Sequence, residues 1–409
     1  MPDDENTAPD GARAGPLSGI RVLDIATFIA APFCGTVLAD FGADVIKIEK
    51  PGDGDPLRAF GTRSDCGDSY VWLSEARNKK SVTLDLRTKD GAALFLRLVA
   101  ESDVILENFR PGTLEKWGLG FDALQRANPR IVLLRVSAYG QTGPYKNKPG
   151  FARIAHAFGG LSYLAGEAGR PPVMPGSTSL ADYISGLWGA VGVLIALREA
   201  QSTGKGQSID VGLYESIFRL LDEIAPVYAR LGLVRERLGA DTVNVVPHSH
   251  YETRDGGWVA LACSSDKMFR RLATTMGRPE LADSPAYATM AARIARRSEV
   301  NGLVADWFRT MTTDEALKTC DNGGVPCGRL NSIADIFENA QFHARGNFFT
   351  APSRAGDVVL PAAMPLLSET PPRFRHVGPA LGEHTGEVLR EVLGLSEDDV
   401  LALKRSGSV

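Results

Sequence analysis

Residues 17–50 read LSGIRVLDIATFIAAPFCGTVLADFGADVIKIEK. Ile20–Ile25 (IRVLDI) is apolar enough for a strand buried on both faces. Pro32 suits the first turn of a helix. That helix is expected to run through Leu38–Phe41 until Gly42 stops it. Asp44–Ile48 (DVIKI) is a second strand. Strand, helix and strand at this spacing make a βαβ unit, and hence part of a parallel sheet.

The pattern continues outward. Ser81–Leu86 is a predicted strand, and Asp90–Glu101 a helix with Leu94, Leu98 and Val99 on one face. Asp103–Glu107 and Ile131–Val136 add two strands, giving an open α/β sheet covered on both faces. Ile154–Leu164 reads as a helix interrupted at Gly159 and Gly160. Leu180–Ala200 is a long apolar helix whose Gly186, Gly189 and Gly192 lie three apart. Glycine costs about 1 kcal/mol per interior helix site, so this series points to close approach by another backbone. Gln207–Val211 is a further strand. Near residue 240 the texture changes to short helices around a strand at Trp258–Cys263, a smaller α+β domain. Val325–Leu330 leads into a return segment. The expected division is a disordered tail at 1–16, a large domain at 17–239, the small domain at 240–330, and a return segment at 331–409 completing the large one.

The balance of 45 basic against 49 acidic residues gives a net charge of −4. That excludes a general nucleic-acid binder, which needs many phosphate contacts. At 44% apolar and 23% charged residues, the chain is an ordinary globular protein. Its longest apolar run, Ile184–Leu197, falls short of the ~20 residues of a membrane span, so a core helix is expected and no membrane partner. The acidic start MPDDENTAPDGARAGP has no signal-peptide character. Five cysteines, an odd number without a CxxC pair, argue against a disulfide framework and structural zinc, and for a reduced, cytoplasmic protein.

The turn ATFIAAPFCG after the first strand lacks GxGxxG, and no P-loop occurs, so bound NAD or FAD is not expected, and no tightly bound cofactor is assigned. His248-Ser249-His250 puts two imidazoles on one face of an extended chain. Two ligands are too few for a metal. Hydrogen bonding to a substrate carboxylate and a plain polar loop both remain open for them. Asp182 precedes the apolar helix. Local sequence favours a helix N-cap, and the alternative is a held, desolvated carboxylate nucleophile. Lys47, Lys50, Lys79, Lys80 and Arg87 flank strand ends, where they suit either an anionic ligand or a solvated face.

Together these blocks carry a resemblance. LADFGADVIKIEKPGDGDPLR, NKKSVTLDLRT, ENFRPGTLEKWGL, NPRIVLLRVSAYGQTGP, SLADYISGLWGAVGVLIALREAQSTGKGQSIDVGLYES and LGEHTGEVL occur in order with the opening stretch. The chain resembles the family III CoA-transferases from Leu17 to about Leu395. The resemblance implies a Rossmann-type large domain, a smaller α+β domain, and an interlocked, ring-like homodimer. It implies that Asp182 is the nucleophile, forming an aspartyl-CoA thioester by way of mixed anhydrides. Coenzyme A, as substrate and product, would meet Thr27, Phe28, Ile29, Ala30, Lys50, Leu84, Arg87, Asn108, Phe109 and Lys116. Lys50 stands where the oxalate branch has arginine, and Thr27 where it has histidine.

Two departures bear on the substrate. The racemase branch carries Gly-His-Asp where this chain reads Gly150-Phe151-Ala152, which removes the second base an α-proton shift needs. The glycine run of the oxalate branch is replaced by Val246-Pro247-His248-Ser249-His250-Tyr251. That stretch looks more like enzymes passing CoA from succinyl-CoA to dicarboxylates such as malate, citramalate or itaconate. Phe151, Arg153, His248 and His250 are the substrate-contact candidates. The alternatives are an intramolecular CoA transferase of the mesaconyl-CoA C1-to-C4 type, a racemase, and a CoA-thioester-binding protein without turnover.

Overall fold

Alternate side chains along the central strands enter two separate apolar layers. Val22, Val45, Val104 and Val132 face one layer; Leu23, Ile46, Ile105 and Leu133 face the other. The computed structural model describes residues 15–405 and 407–409. The expected disordered tail lies outside the described residues up to position 14. Gly15 is already packed, because a Cβ there would stand 2.5 Å from the Phe41 carbonyl oxygen.

The strands are β1 (Arg21–Asp24), β2 (Asp44–Glu49), β3 (Lys79–Thr83), β4 (Val104–Glu107), β5 (Val132–Ser137) and β6 (Ser208–Gly212). They form one parallel sheet in the order 3-2-1-4-5-6. The order reverses at β1, which has β2 on one side and β4 on the other. The crevice beyond their carboxyl ends is where open α/β sheets hold ligands. β3 begins and ends earlier than expected. β2 stops at Glu49, whose carbonyl accepts the Leu84 N–H at 2.8 Å, so Asp85–Arg87 have no strand to pair with and form a loop.

Three helices matter for the site: α1 (Ala30–Asp40), α2 (Ala152–Phe158) and α3 (Leu180–Thr203). All three pack in the first layer, while helices Lys89–Ala100 and Thr385–Leu393 fill the second. By length and composition α3 is long and apolar enough to cross a membrane, longer than the apolar run alone indicated. Its glycines are instead buried contacts. A Cβ at Gly186 would lie 2.6 Å from the Ala30 carbonyl oxygen, and one at Gly189 would lie 2.7 Å from Leu134 Cδ2. Backbone approach is therefore real at Gly186, whereas Gly189 admits a side chain of the sheet. The opposite side leaves Leu187, Trp188, Val191, Leu194 and Ile195 exposed.

The chain divides into two units. The first runs through Leu161 and includes Gly176–Glu223 and Ala344–Val409; the second is Ser162–Pro175 with Ile224–His343. The sequence reading had placed these divisions at 240 and 331. In the second unit β7 (His248–Glu252), β8 (Trp258–Ala262) and β9 (Cys327–Arg329) form an antiparallel sheet. Val325–Leu330 thus ends in a strand of that sheet rather than opening the return. In the first unit β10 (Phe348–Ala351) and β11 (Val358–Pro361) pair as a hairpin. Ala351, Val358 and Leu360 pack in one cluster with Leu57 and Trp72. The whole is a mixed α/β fold with a parallel central sheet.

Candidate active site

Beyond the carboxyl ends of β1 to β4 lies a cleft of about 190 Å³. Its walls are Ile25–Thr27, Lys47–Lys50, Leu84–Arg87, Phe109 and Trp117. It is smaller than the ~300 Å³ and upward of a drug-sized ligand's pocket, so it suits one end of a long ligand. Five expected residues line it: Thr27, Lys50, Leu84, Arg87 and Phe109. Ile29 and Ala30 do not, being 5% exposed and packed beneath the loop. Lys116 ends a short helix, Thr113–Lys116, with its side chain exposed.

The loop leaving β1 is fixed atom by atom. Thr27 N–H donates to Asn108 Oδ1 at 2.8 Å, and Asn108 Nδ2 donates back to the Thr27 carbonyl at 2.7 Å. Asn108 is thus a clasp on the loop rather than part of the cleft wall. Phe28 N–H donates to Asp55 Oδ1 at 3.0 Å. Phe28 itself has φ 60°, a left-handed conformation that costs a bulky residue on the order of 1–3 kcal/mol. Its ring then packs edge-on against Phe60 at 5.9 Å and Phe151 at 6.2 Å.

Two buried lysines hold the ends of this loop. Lys47 Nζ donates to the Ala26 carbonyl and pairs with Asp55 at 2.8 Å. Lys79 Nζ donates to the Pro32 carbonyl at 2.6 Å and to Asp24 Oδ2 at 3.0 Å. Both lysines are 1% exposed and Asp24 is 0% exposed. Burial opposes ionisation of Asp24, yet Lys47 and Lys79 hold its carboxyl below the ordinary carboxylate range. Lys79 is therefore neither a cleft wall nor part of a solvated face, and Lys47, although it lines the cleft, spends its charge on Asp55 and Asp24. A lysine inside the otherwise apolar DVIKI strand was the available signal. Lys50, paired with Asp53, and Arg87, paired with Asp85 at 2.6 Å, do stand exposed at the cleft.

Glu107 closes the turn after β4, accepting the Phe109 N–H at 2.7 Å and Arg135 Nε at 2.7 Å. Burial raises its carboxyl to about 7 against the pull of Arg135.

Asp182 is the third residue of α3, whose N-cap position belongs to Ser179. The N-cap role considered for Asp182 is thereby corrected. Among the described residues no hydrogen bond or ion pair reaches its half-buried carboxylate, and burial alone raises it to about 7. Gly186, one turn further along, seats the helix on Ala30 and so fixes Asp182 relative to the head of α1. Tyr183 packs edge-on against Phe33 of α1 at 4.8 Å. Phe151, which Phe28 touches, is the N-cap of α2. On that helix Arg153 is exposed, without an ion pair among the described residues. His156, three residues on, is 0% exposed, and its Nε2 accepts the Ala181 N–H at 2.9 Å. Contacts therefore run from the cleft through Phe28 and α2 to the residue before Asp182. Sequence reading missed His156 and Asp55, whose partners are remote along the chain.

His248 and His250 lie in the second unit. They occupy alternate positions of β7 and so share a face. His250 is exposed, and His248 Nδ1 is buried with no hydrogen-bond partner among the described residues.

The sequence model of CoA-transferase family III matches residues 17–385. The chain belongs to the family III CoA-transferases. This transferase is 53% identical over 404 residues to the succinyl-CoA–L-malate CoA-transferase alpha subunit of Chloroflexus aurantiacus, covering 98% of this chain and 94% of that one. It is 43% identical over 390 residues to the succinyl-CoA–D-citramalate CoA-transferase of the same organism, covering 95% and 97%. Its fold matches the crystal structure of a CAIB/BAIF family protein from Brucella suis with a TM-score of 0.82 at 33% identity, covering 93% of this chain and 100% of that one.

Proposed function

We propose that the protein moves CoA from succinyl-CoA to a dicarboxylic acid through an aspartyl-CoA thioester on Asp182. The observation that carries this reading is the Asp182 carboxyl itself, desolvated, held at a helix head and unpaired among the described residues. The carboxylate attacks the donor thioester carbon, the C–S bond breaks, and CoA leaves as thiolate, giving a mixed anhydride. The thiolate attacks the aspartyl carbonyl, releasing the donor acid and leaving the aspartyl-CoA thioester. The acceptor carboxylate attacks that carbonyl and the thiolate leaves again. Attack of the thiolate on the acceptor acyl carbon gives the new thioester and frees Asp182. No proton changes hands, so neither a general acid nor a general base is required. Exclusion of water keeps the anhydride from hydrolysis.

The cleft fits one end of CoA, with Lys50 and Arg87 available for its phosphates. The strand order 3-2-1-4-5-6 supports a Rossmann-type large unit. An intact-protein mass spectrum after mixing with succinyl-CoA tests the central claim. A CoA-sized adduct on wild type, absent from Asp182→Ala, is expected. No adduct on wild type would sink it.

Arg153 is proposed to hold the second carboxylate of the acid. Its exposed guanidinium, without an ion pair among the described residues, supports this. A charged hydrogen bond contributes about 1.5–3 kcal/mol, so Arg153→Ala should raise KM for the dicarboxylate acceptor about 10–100-fold. KM for succinyl-CoA should rise with it, since that donor carries the same second carboxylate. An unchanged acceptor KM in Arg153→Ala would remove this residue from the acid site.

We further propose an interlocked homodimer that covers the apolar side of α3. Five exposed apolar side chains on one helix face support a second copy there. Trp188→Glu is expected to shift the light-scattering mass of the purified chain from two copies towards one. An unaltered two-copy mass would take this face out of the interface.

A further inference from the structure

We infer that His156 is the positioning residue of the nucleophile, holding the first turn of α3 so that Asp182 is presented in one orientation. The inference rests on the reading of Asp182 as the covalent nucleophile.

A helix begins with N–H groups that have no intrahelical partner, and the N-cap side chain normally accepts one of them. In α3 it does not: Ser179 stands at φ −81°, ψ 58°, and its hydroxyl makes no cap bond. Its carbonyl takes the Asp182 and Tyr183 N–H groups at 2.9 and 3.2 Å. The Ala181 N–H goes instead to the imidazole of His156, from another helix. Both residues of this bond are 0% exposed, so neither end can be replaced by water without opening the packing. The acceptor nitrogen carries no hydrogen, so the ring is neutral with its proton on Nδ1. Burial and Arg153 both push His156 below its ordinary pKa, in keeping with that state. The lone pair on Nε2 is committed to Ala181, which separates His156 from a general base.

Asp182 depends on this support because its carboxylate has no side-chain partner of its own among the described residues. Its position rests on the backbone of the turn and on the seating of the helix at Gly186. A displacement of about 1 Å in a reacting group can cost on the order of 100-fold in rate.

Three substitutions test the inference, read by the rate of CoA-adduct formation at saturating succinyl-CoA and by donor KM. His156→Leu keeps bulk but offers no acceptor, and should slow adduct formation about 10–100-fold with donor KM within about twofold. His156→Gln offers an acceptor oxygen and should recover most of the rate. His156→Asn, too short to reach Ala181, should be slow, and it carries the test if the leucine variant does not fold. Wild-type rates in the leucine or asparagine variant would overturn the inference. So would a glutamine variant as slow as asparagine, or a loss confined to KM. An adduct on Asp182→Ala would instead overturn the nucleophile reading, whatever the His156 variants do.

Discussion

Asp182→Asn is expected to lower CoA transfer by on the order of 10⁴-fold or more, the scale seen when a covalent nucleophile is removed. The amide cannot form the anhydride, and among the described residues nothing else at the head of α3 carries a carboxylate to replace it. In wild type, attack requires the ionised form. With the Asp182 carboxyl pushed up to about 7 by burial, kcat/KM for the donor should rise with pH and level off above that value. The same group sets a stability profile of known sign. The folded carboxyl binds its proton more tightly than the unfolded one, whose ordinary value is 3.8. Stability is therefore lost as pH rises from about 4 through about 7, and the loss is complete above it. Asparagine has no such titration. At pH 8 the variant should exceed wild type by about 2–4 kcal/mol, and the gap should close near pH 4. Urea midpoints at the two pH values measure this. A variant less stable than wild type at pH 8 would show that the carboxylate is compensated rather than exposed to desolvation.

Asp24→Ala should destabilise the protein by about 3–5 kcal/mol, the usual result of stripping a buried ion pair of one partner. Lys47 keeps Asp55 as a counter-ion. Among the described residues Lys79 keeps only the Pro32 carbonyl as a hydrogen-bond partner, so its charge is left buried without an ion pair. The double variant Asp24→Ala/Lys79→Met should therefore be more stable than Asp24→Ala alone, because no lone charge remains. Chemical denaturation of the four members of the cycle gives the coupling. Additive effects would mean that the two groups do not compensate one another. Because Lys79 and Lys47 also fix the Pro32 and Ala26 carbonyls, the single variant should bind CoA more weakly at temperatures where it is still folded.

The β1–α1–β2 start was legible because strands buried on both faces are written as apolar runs with few alternatives. The edges were less so. The pattern places β3 two residues late at its start and three at its end, since its end is set by where β2 stops, a fact of pairing that SVTLDL does not contain. Gly186, Gly189 and Gly192 announced tight packing, and the Ala30 carbonyl is the backbone that uses it. Asp182 stood out only through family resemblance, as SLADY alone favours a cap. His156 left one faint sign: with Ala152 and Ala155 it forms the buried side of α2, a place where a polar ring needs a partner. That partner, the Ala181 amide, is invisible to any local pattern.

The loop from Ala26 to Pro32 is tied to the protein interior at four points, whereas Phe151, Arg153 and Ile154 at the head of α2 stand in the open. Divergence has unequal freedom at these two places. The part of the cleft built on this loop cannot change without disturbing buried charges and with them folding, whereas Lys50 and Arg87 at its exposed edge can. If Arg153 holds the acid as proposed, a change at the exposed side of α2 would alter which acid is accepted and leave the interior alone. New acceptor preferences can thus accumulate by single steps on one scaffold, each neutral to its stability.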